Sequence, residues 1–191
     1  FMKFKLLFIF FLFSLISFAQ APVNYYSTAT GTGYTLKTNL YNIIKGHTDN
    51  GYDGLYTIYQ TSDRDYYYEN DGTVLDMYSE NPKGTDPYNY SSGSADRCGN
   101  YSVEGDCYNR EHIIPQSVFN KNAPMVSDAH SVTPTDGKVN GIRSAYPHGN
   151  VASVSITTLN GSKLGSSGVP GYSGTVFEPI DEFKGDIARM Y

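Results

Sequence analysis

The run from Cys107 to Asn150 constrains this chain more than any other stretch. Asn109-Arg110-Glu111-His112 leads into Ile113-Ile114 and is stopped by Pro115, so a short strand must end or bend there. Without that bend, Glu111 and His112 would point to opposite faces of the strand. After Asp128-Ala129-His130, the residues Ser131 to Thr133 lead into Pro134. Thr133 and Asp136 have the spacing of a capping box, which predicts a short helix through Val139-Asn140-Gly141-Ile142-Arg143-Ser144 that ends before Pro147. Gly137 and Gly141 weaken that helix, so packing or a bound ion must help to hold it. Asn140 and Arg143 lie one helical turn apart and can face one point. A carboxylate beside an imidazole, joined by a carboxamide and a guanidinium on one helix face, suits metal-assisted phosphodiester cleavage.

Two blocks in this run resemble the endonuclease I family of secreted and periplasmic nucleases, in the His-Me finger or ββα-metal group. The first is Cys107-Tyr108-Asn109-Arg110-Glu111-His112-Ile113-Ile114-Pro115-Gln116-Ser117, and the second runs from Asp128 through Asn140 to Arg143. A weaker block, Phe177-Glu178-Pro179 with Gly185-Asp186-Ile187-Ala188-Arg189-Met190, extends the likeness over the second half of the chain. The resemblance implies an α+β fold with a ββα-metal core of mixed helices and short strands. It also implies that the last helix should run on beyond Tyr191, so a carboxyl-terminal truncation is expected. Ser131 and Ala145 depart from the family pattern, in positions that bear on how the site is oriented.

In that register His112 is the expected general base, since an imidazole of ordinary pKa near 6.5 is mostly neutral at pH 7. Glu111 and Asn140 are the expected ligands of Mg²⁺, or of a similar divalent cation such as Ca²⁺ or Mn²⁺. Arg143 would grip the scissile phosphate, and His130, oriented by Asp128, would stand near it. The competing roles are structural: a buried, hydrogen-bonded His112 or His130, a surface Glu111, a helix-terminal Asn140 and an Arg143 in a salt bridge. His47 and His148 fall outside the motif and read as structural or exposed. The implied substrate is the nucleic acid backbone, DNA and in addition RNA, cut without sequence preference. The rival functions are a noncatalytic secreted binding module on a degenerate nuclease fold and a phosphodiesterase of small esters.

The amino terminus places the chain in the cell. Met2 to Ala19 carry Lys3 and Lys5, an apolar run from Leu6 to Ile16, then Ser17-Phe18-Ala19, which is the pattern of a secretory signal peptide. Phe1 reads as extraneous. A secreted or periplasmic monomer with no membrane attachment is expected, with one nuclease domain over residues 20–191. Export puts Cys98 and Cys107 in an oxidising compartment, where a disulfide between them would fix the approach to Glu111; free thiols or half a metal site are the alternative. Charge argues the other way. Setting aside Lys3 and Lys5 leaves 12 of the 14 basic residues against 19 acidic ones, a formal charge of about −7. That is a poor electrostatic footprint for a polyanion binder, so any positive potential must be local.

Elsewhere, Tyr34 to Lys45 reads as a helix whose Leu36, Leu40, Ile43 and Ile44 enter the core. Asp53 to Gln60 and Thr73 to Ser79 read as strands, with Asn70-Asp71-Gly72 as a turn between them. Tyr66, Tyr67 and Tyr68 are expected to pack rather than stack on bases. Glu80 to Gly105 reads as loop, Val151 to Leu159 and Thr175 to Glu178 as strands about a Gly/Ser/Pro-rich connection, and Ile180 onward as helix.

Overall fold

The computed structural model describes residues 21–191, and the signal peptide expected over Met2–Ala19 lies outside them. The chain divides into two compact units, one up to Thr48 and the other Asp49–Tyr191. In the first, helix α1 spans Gly33–Ile44 as the apolar spacing predicts, but none of its residues is buried. The expectation that its stripe enters a core is therefore corrected.

The second unit opens with helix α2, Gly51–Ile58, where a strand was expected. Leu55 and Tyr59, four apart, are both fully buried, and Asp53 sits in the first turn, where the helix dipole favours a carboxylate. The expected strand over Thr73–Ser79 is likewise absent apart from a single bridge between Val74 and Arg64. Asp76 prevents it. Its side chain accepts from Tyr78 N and its carbonyl from Ser79 N and Glu80 N, which closes the chain into a turn. Residues 81–105 form no helix or strand.

Strands β1 (Tyr108–His112) and β2 (Val132–Asp136) pair antiparallel, with Glu111 opposite Thr133 and His112 opposite Val132. Helix α3, Gly137–Arg143, follows without a loop. Its cap is Asp136, whose side chain accepts from Val139 N, rather than Thr133, which remains within the strand. The disulfide between Cys98 and Cys107 lies beneath this junction. A Cβ on Gly137 would stand 2.5 Å from Cys98 Sγ and 2.7 Å from the Tyr101 ring, so only glycine fits there.

A second antiparallel sheet holds β3 (Val151–Thr157), β4 (Lys163–Ser167) and β5 (Thr175–Glu178) in that order. Strand β4 lies in the stretch expected to be loop. Helix α4, Asp181–Met190, buries Phe183 and Ile187. They join Met77, Tyr78, Ile113, Val139 and Phe177 in one apolar cluster, and Leu55, Tyr59, Val74, Tyr90, Tyr108 and Val132 form another. The β1–β2–α3 unit contributes to both clusters, which fixes it from two sides. The α+β class expected from the sequence is the class observed.

Candidate active site

At the end of β1 and the carboxyl-terminal half of α3, a cleft of about 280 Å³ is lined by Arg110, Glu111, His112, Gln116, Asn140 and Arg143 among others. His112 is held by the connection that follows it. Its Nε2 lies 3.1 Å from the Val126 carbonyl, and Gln116 Nε2 lies 3.1 Å from its Nδ1. A carbonyl only accepts, so the proton is on Nε2 and Nδ1 carries the lone pair. The ring stands between Tyr52 and Phe119, with centroids 5.6 and 5.9 Å away. Burial, helped by the charges of Arg110 and Arg143, holds the imidazole below its usual pKa and keeps it neutral.

Glu111 is 2% exposed. Its Oε1 accepts from Tyr78 Oη at 3.1 Å and from Arg143 Nη1 at 2.8 Å, which leaves Oε2 for another partner. Burial pushes this carboxyl up to about 7 against the pull of Arg143 and Tyr78. Asn140 spends its amide nitrogen on Asn109 Oδ1, at 2.7 Å, and on the Arg110 carbonyl, at 3.3 Å. Its carboxamide oxygen is thereby turned outward. One carboxylate oxygen and one carboxamide oxygen beside the same cleft form a donor set that suits a hard divalent cation.

Arg143 sits behind Glu111. Besides the carboxylate, its Nη1 donates to the His112 carbonyl at 2.7 Å and its Nη2 to the Ile113 carbonyl at 2.6 Å, with 1% of the side chain exposed. Its fork is spent on the chain and is not extended toward solvent. His130 is at the opposite extreme, with its side chain 99% exposed. Asp128 Oδ1 takes both its N–H, at 2.9 Å, and its Nδ1, at 3.1 Å, so the carboxylate does orient the ring, from a turn ahead of β2 rather than from a strand face. Arg110 lies nearer the cleft, its guanidinium 3.5 Å over the Tyr52 ring and paired with Asp53 at 2.8 Å.

Sequence reasoning gave Tyr78 no part in the site and Gln116 none beyond its place in the motif, and it read His148 as structural or exposed. His148 Nε2 lies 2.8 Å from Tyr78 Oη, which places it one hydroxyl from Glu111. Burial pushes that imidazole down to about 3, so it stays neutral. Only Gln116, four residues after His112, had a local signal.

A strand pair thus feeds directly into a helix, and a carboxylate, an imidazole and a carboxamide converge on one cleft. The family model described as Endonuclease I matches residues 32–191, and the chain belongs to that family. It is 31% identical over 169 residues to an "Extracellular ribonuclease" of Bacillus amyloliquefaciens, covering 87% of this chain and 50% of the relative. A protein of the same description from Bacillus subtilis (strain 168) is 30% identical with the same coverage. The chain thus spans about half the length of these curated relatives. No solved structure matches it.

Proposed function

We propose that this chain is a secreted, metal-dependent endonuclease that hydrolyses phosphodiester bonds of DNA and RNA without sequence preference, as a monomer. One observation carries the reading. The proton on His112 Nε2, held by the Val126 carbonyl, leaves a basic Nδ1 in the same cleft as Glu111 and the outward oxygen of Asn140. Water is the nucleophile, so the ribose 2′-hydroxyl is not needed and either nucleic acid serves. That both relatives are named as ribonucleases supports including RNA.

In the resting chain the Gln116 amide fills Nδ1, and the attacking water takes that place when a phosphate enters. His112 Nδ1 accepts the proton of the water as its oxygen bonds to phosphorus. The bond from phosphorus to the 3′ oxygen then breaks, leaving a 5′-phosphate end. Glu111 and Asn140 would hold one Mg²⁺ or similar ion, which supplies charge stabilisation for the phosphate and the departing oxygen. Arg143 favours the ionised form of Glu111 against the effect of burial and aims its carboxylate. Arg110, which lines the cleft, and the exposed ring of His130 would meet the backbone of a bound strand.

Plasmid nicking tests this. Wild type should nick supercoiled plasmid in Mg²⁺ and not in EDTA, and His112→Ala should lower the rate by about 10²–10⁴-fold while melting normally. A folded wild-type chain that cuts neither DNA nor RNA in Mg²⁺, Mn²⁺ or Ca²⁺ would overturn the reading in favour of a binding module.

A further inference from the structure

Away from the cleft, the segment after α2 gathers acidic groups with no positive partner. Asp65 is fully buried. Its Oδ1 accepts from Tyr67 N at 2.9 Å and Tyr68 N at 2.8 Å, and its Oδ2 from Asn70 N at 3.0 Å. Those bonds fix the aim of the carboxylate and bend the loop so that Glu69 returns toward it. Glu80 approaches from the Asp76 turn. It is 1% exposed, and its Oε1 has no hydrogen-bond partner. Oxygens of the three residues all lie within 4.8 Å of one another. Among the described residues, none of the three takes part in a salt bridge, and Asp86 adds a further negative charge beside Glu80.

An unpaired, buried carboxylate oxygen is costly, and a cluster of like charges costs more. A cation removes both costs. Calcium-type ions bind oxygen at about 2.3–2.6 Å, so oxygens that share one ion lie within about 5 Å of one another, and these three side chains are close enough to share one. Carboxylates set by a loop and a turn also suit the flexible coordination of calcium better than a strict octahedron.

We propose that Asp65, Glu69 and Glu80 form a structural binding site for a calcium-type divalent cation, separate from Glu111 and Asn140. The site ties the Asp65–Asn70 loop to the turn that supports the cleft. Glu80 N bonds to the Asp76 carbonyl at 2.8 Å, the Asp76 side chain holds Thr135 and Asp136 N, and Tyr78, two residues before Glu80, donates to Glu111. An ion on Glu80 therefore stiffens the strut behind the catalytic carboxylate. The proposal needs no nuclease activity to be true.

The loop brings its own probe, since Tyr66, Tyr67 and Tyr68 lie between two of the ligands and can sensitise bound Tb³⁺. The full chain, stripped with chelator, is titrated with Tb³⁺ under tyrosine excitation as wild type, Glu80→Gln and Glu111→Gln. Emission should persist in Glu111→Gln, need about tenfold or more Tb³⁺ in Glu80→Gln, and be displaced by Ca²⁺ well before Mg²⁺. Ca²⁺ should also raise the melting temperature of wild type and Glu111→Gln, and that of Glu80→Gln clearly less, since only the cleft ligands remain in it. Should Glu80→Gln not fold, the exposed Glu69→Gln replaces it, and a reduced calcium-dependent melting shift supports the site. Equal Tb³⁺ titrations of wild type and the Glu80 or Glu69 variant, loss of emission in Glu111→Gln, or a wild type whose melting ignores Ca²⁺ would each overturn it.

Discussion

Arg143 holds a full charge where water does not reach, 1% exposed against a carboxylate that is 2% exposed. Removing one member of such a pair leaves the other uncompensated, which typically costs about 3–5 kcal/mol. Arg143→Met should fall near the lower end, about 3 kcal/mol in urea melts, because Glu111 is already pushed up to about 7 and can take a proton instead. The same substitution should lower cleavage at neutral pH and recover part of it as pH rises and Glu111 ionises. Arg143→Lys cannot reach Glu111 and two carbonyls at once, so it should resemble the methionine variant. Glu111, His112, Asn140 and Arg143 were legible in sequence because one strand and one helix carry all four. What Arg143 does was not. A guanidinium that faces a phosphate and one that faces a buried carboxylate have the same spelling, and only burial separates them.

Between β2 and α3 there is no loop, and Asp136 makes the turn possible. Its Oδ1 caps α3 at Val139 N, while its Oδ2 accepts from Tyr90 Oη at 2.6 Å and Gly105 N at 2.8 Å. Asp136→Ala should remove the cap and strand two buried donors, a loss of about 2–4 kcal/mol by denaturant melting. It should also weaken Mg²⁺ activation, since Asn140 is in the second turn of the freed helix. The elements that the sequence concealed are those whose cause is distant. Tyr and Ile residues over 53–60 fit a strand as well as a helix, and the decision came from burying Leu55 and Tyr59 against Tyr108 and Val132. Strand β4 looked like loop because Gly165 is required by its neighbour, where a Cβ would meet the Ser153 carbonyl at 2.1 Å. Tyr78 reaches Glu111, and His148 reaches Tyr78, from segments far away in sequence, with nothing local to announce them.

At the scale of the whole molecule, two buried carboxyls resist ionisation. Burial pushes Glu111 up to about 7 and Glu80 up to about 8. Both lie above ordinary carboxyl values, so the folded chain binds more protons than the unfolded one between those limits, and stability must fall as pH rises through that range. His112 and His148 act in the opposite sense and mainly at lower pH, because both are held below 6.5 in the folded chain, and the two carboxyls outweigh them above pH 6.5. The metal-free chain should therefore melt at a lower temperature at pH 8.5 than at pH 6.5, and saturating divalent cation should flatten that slope. A melting temperature that is level or rising over that window in EDTA would contradict these shifts. The Cys98–Cys107 closure carries a consequence of a different kind. It packs on Gly137 just ahead of the strand that bears Glu111 and His112, so on the proposed function the fold is finished by oxidation. A toxic activity is then weakest in the reducing interior where the producing cell keeps its own genome, and a hydrolase dangerous to its maker comes of age only after it has left.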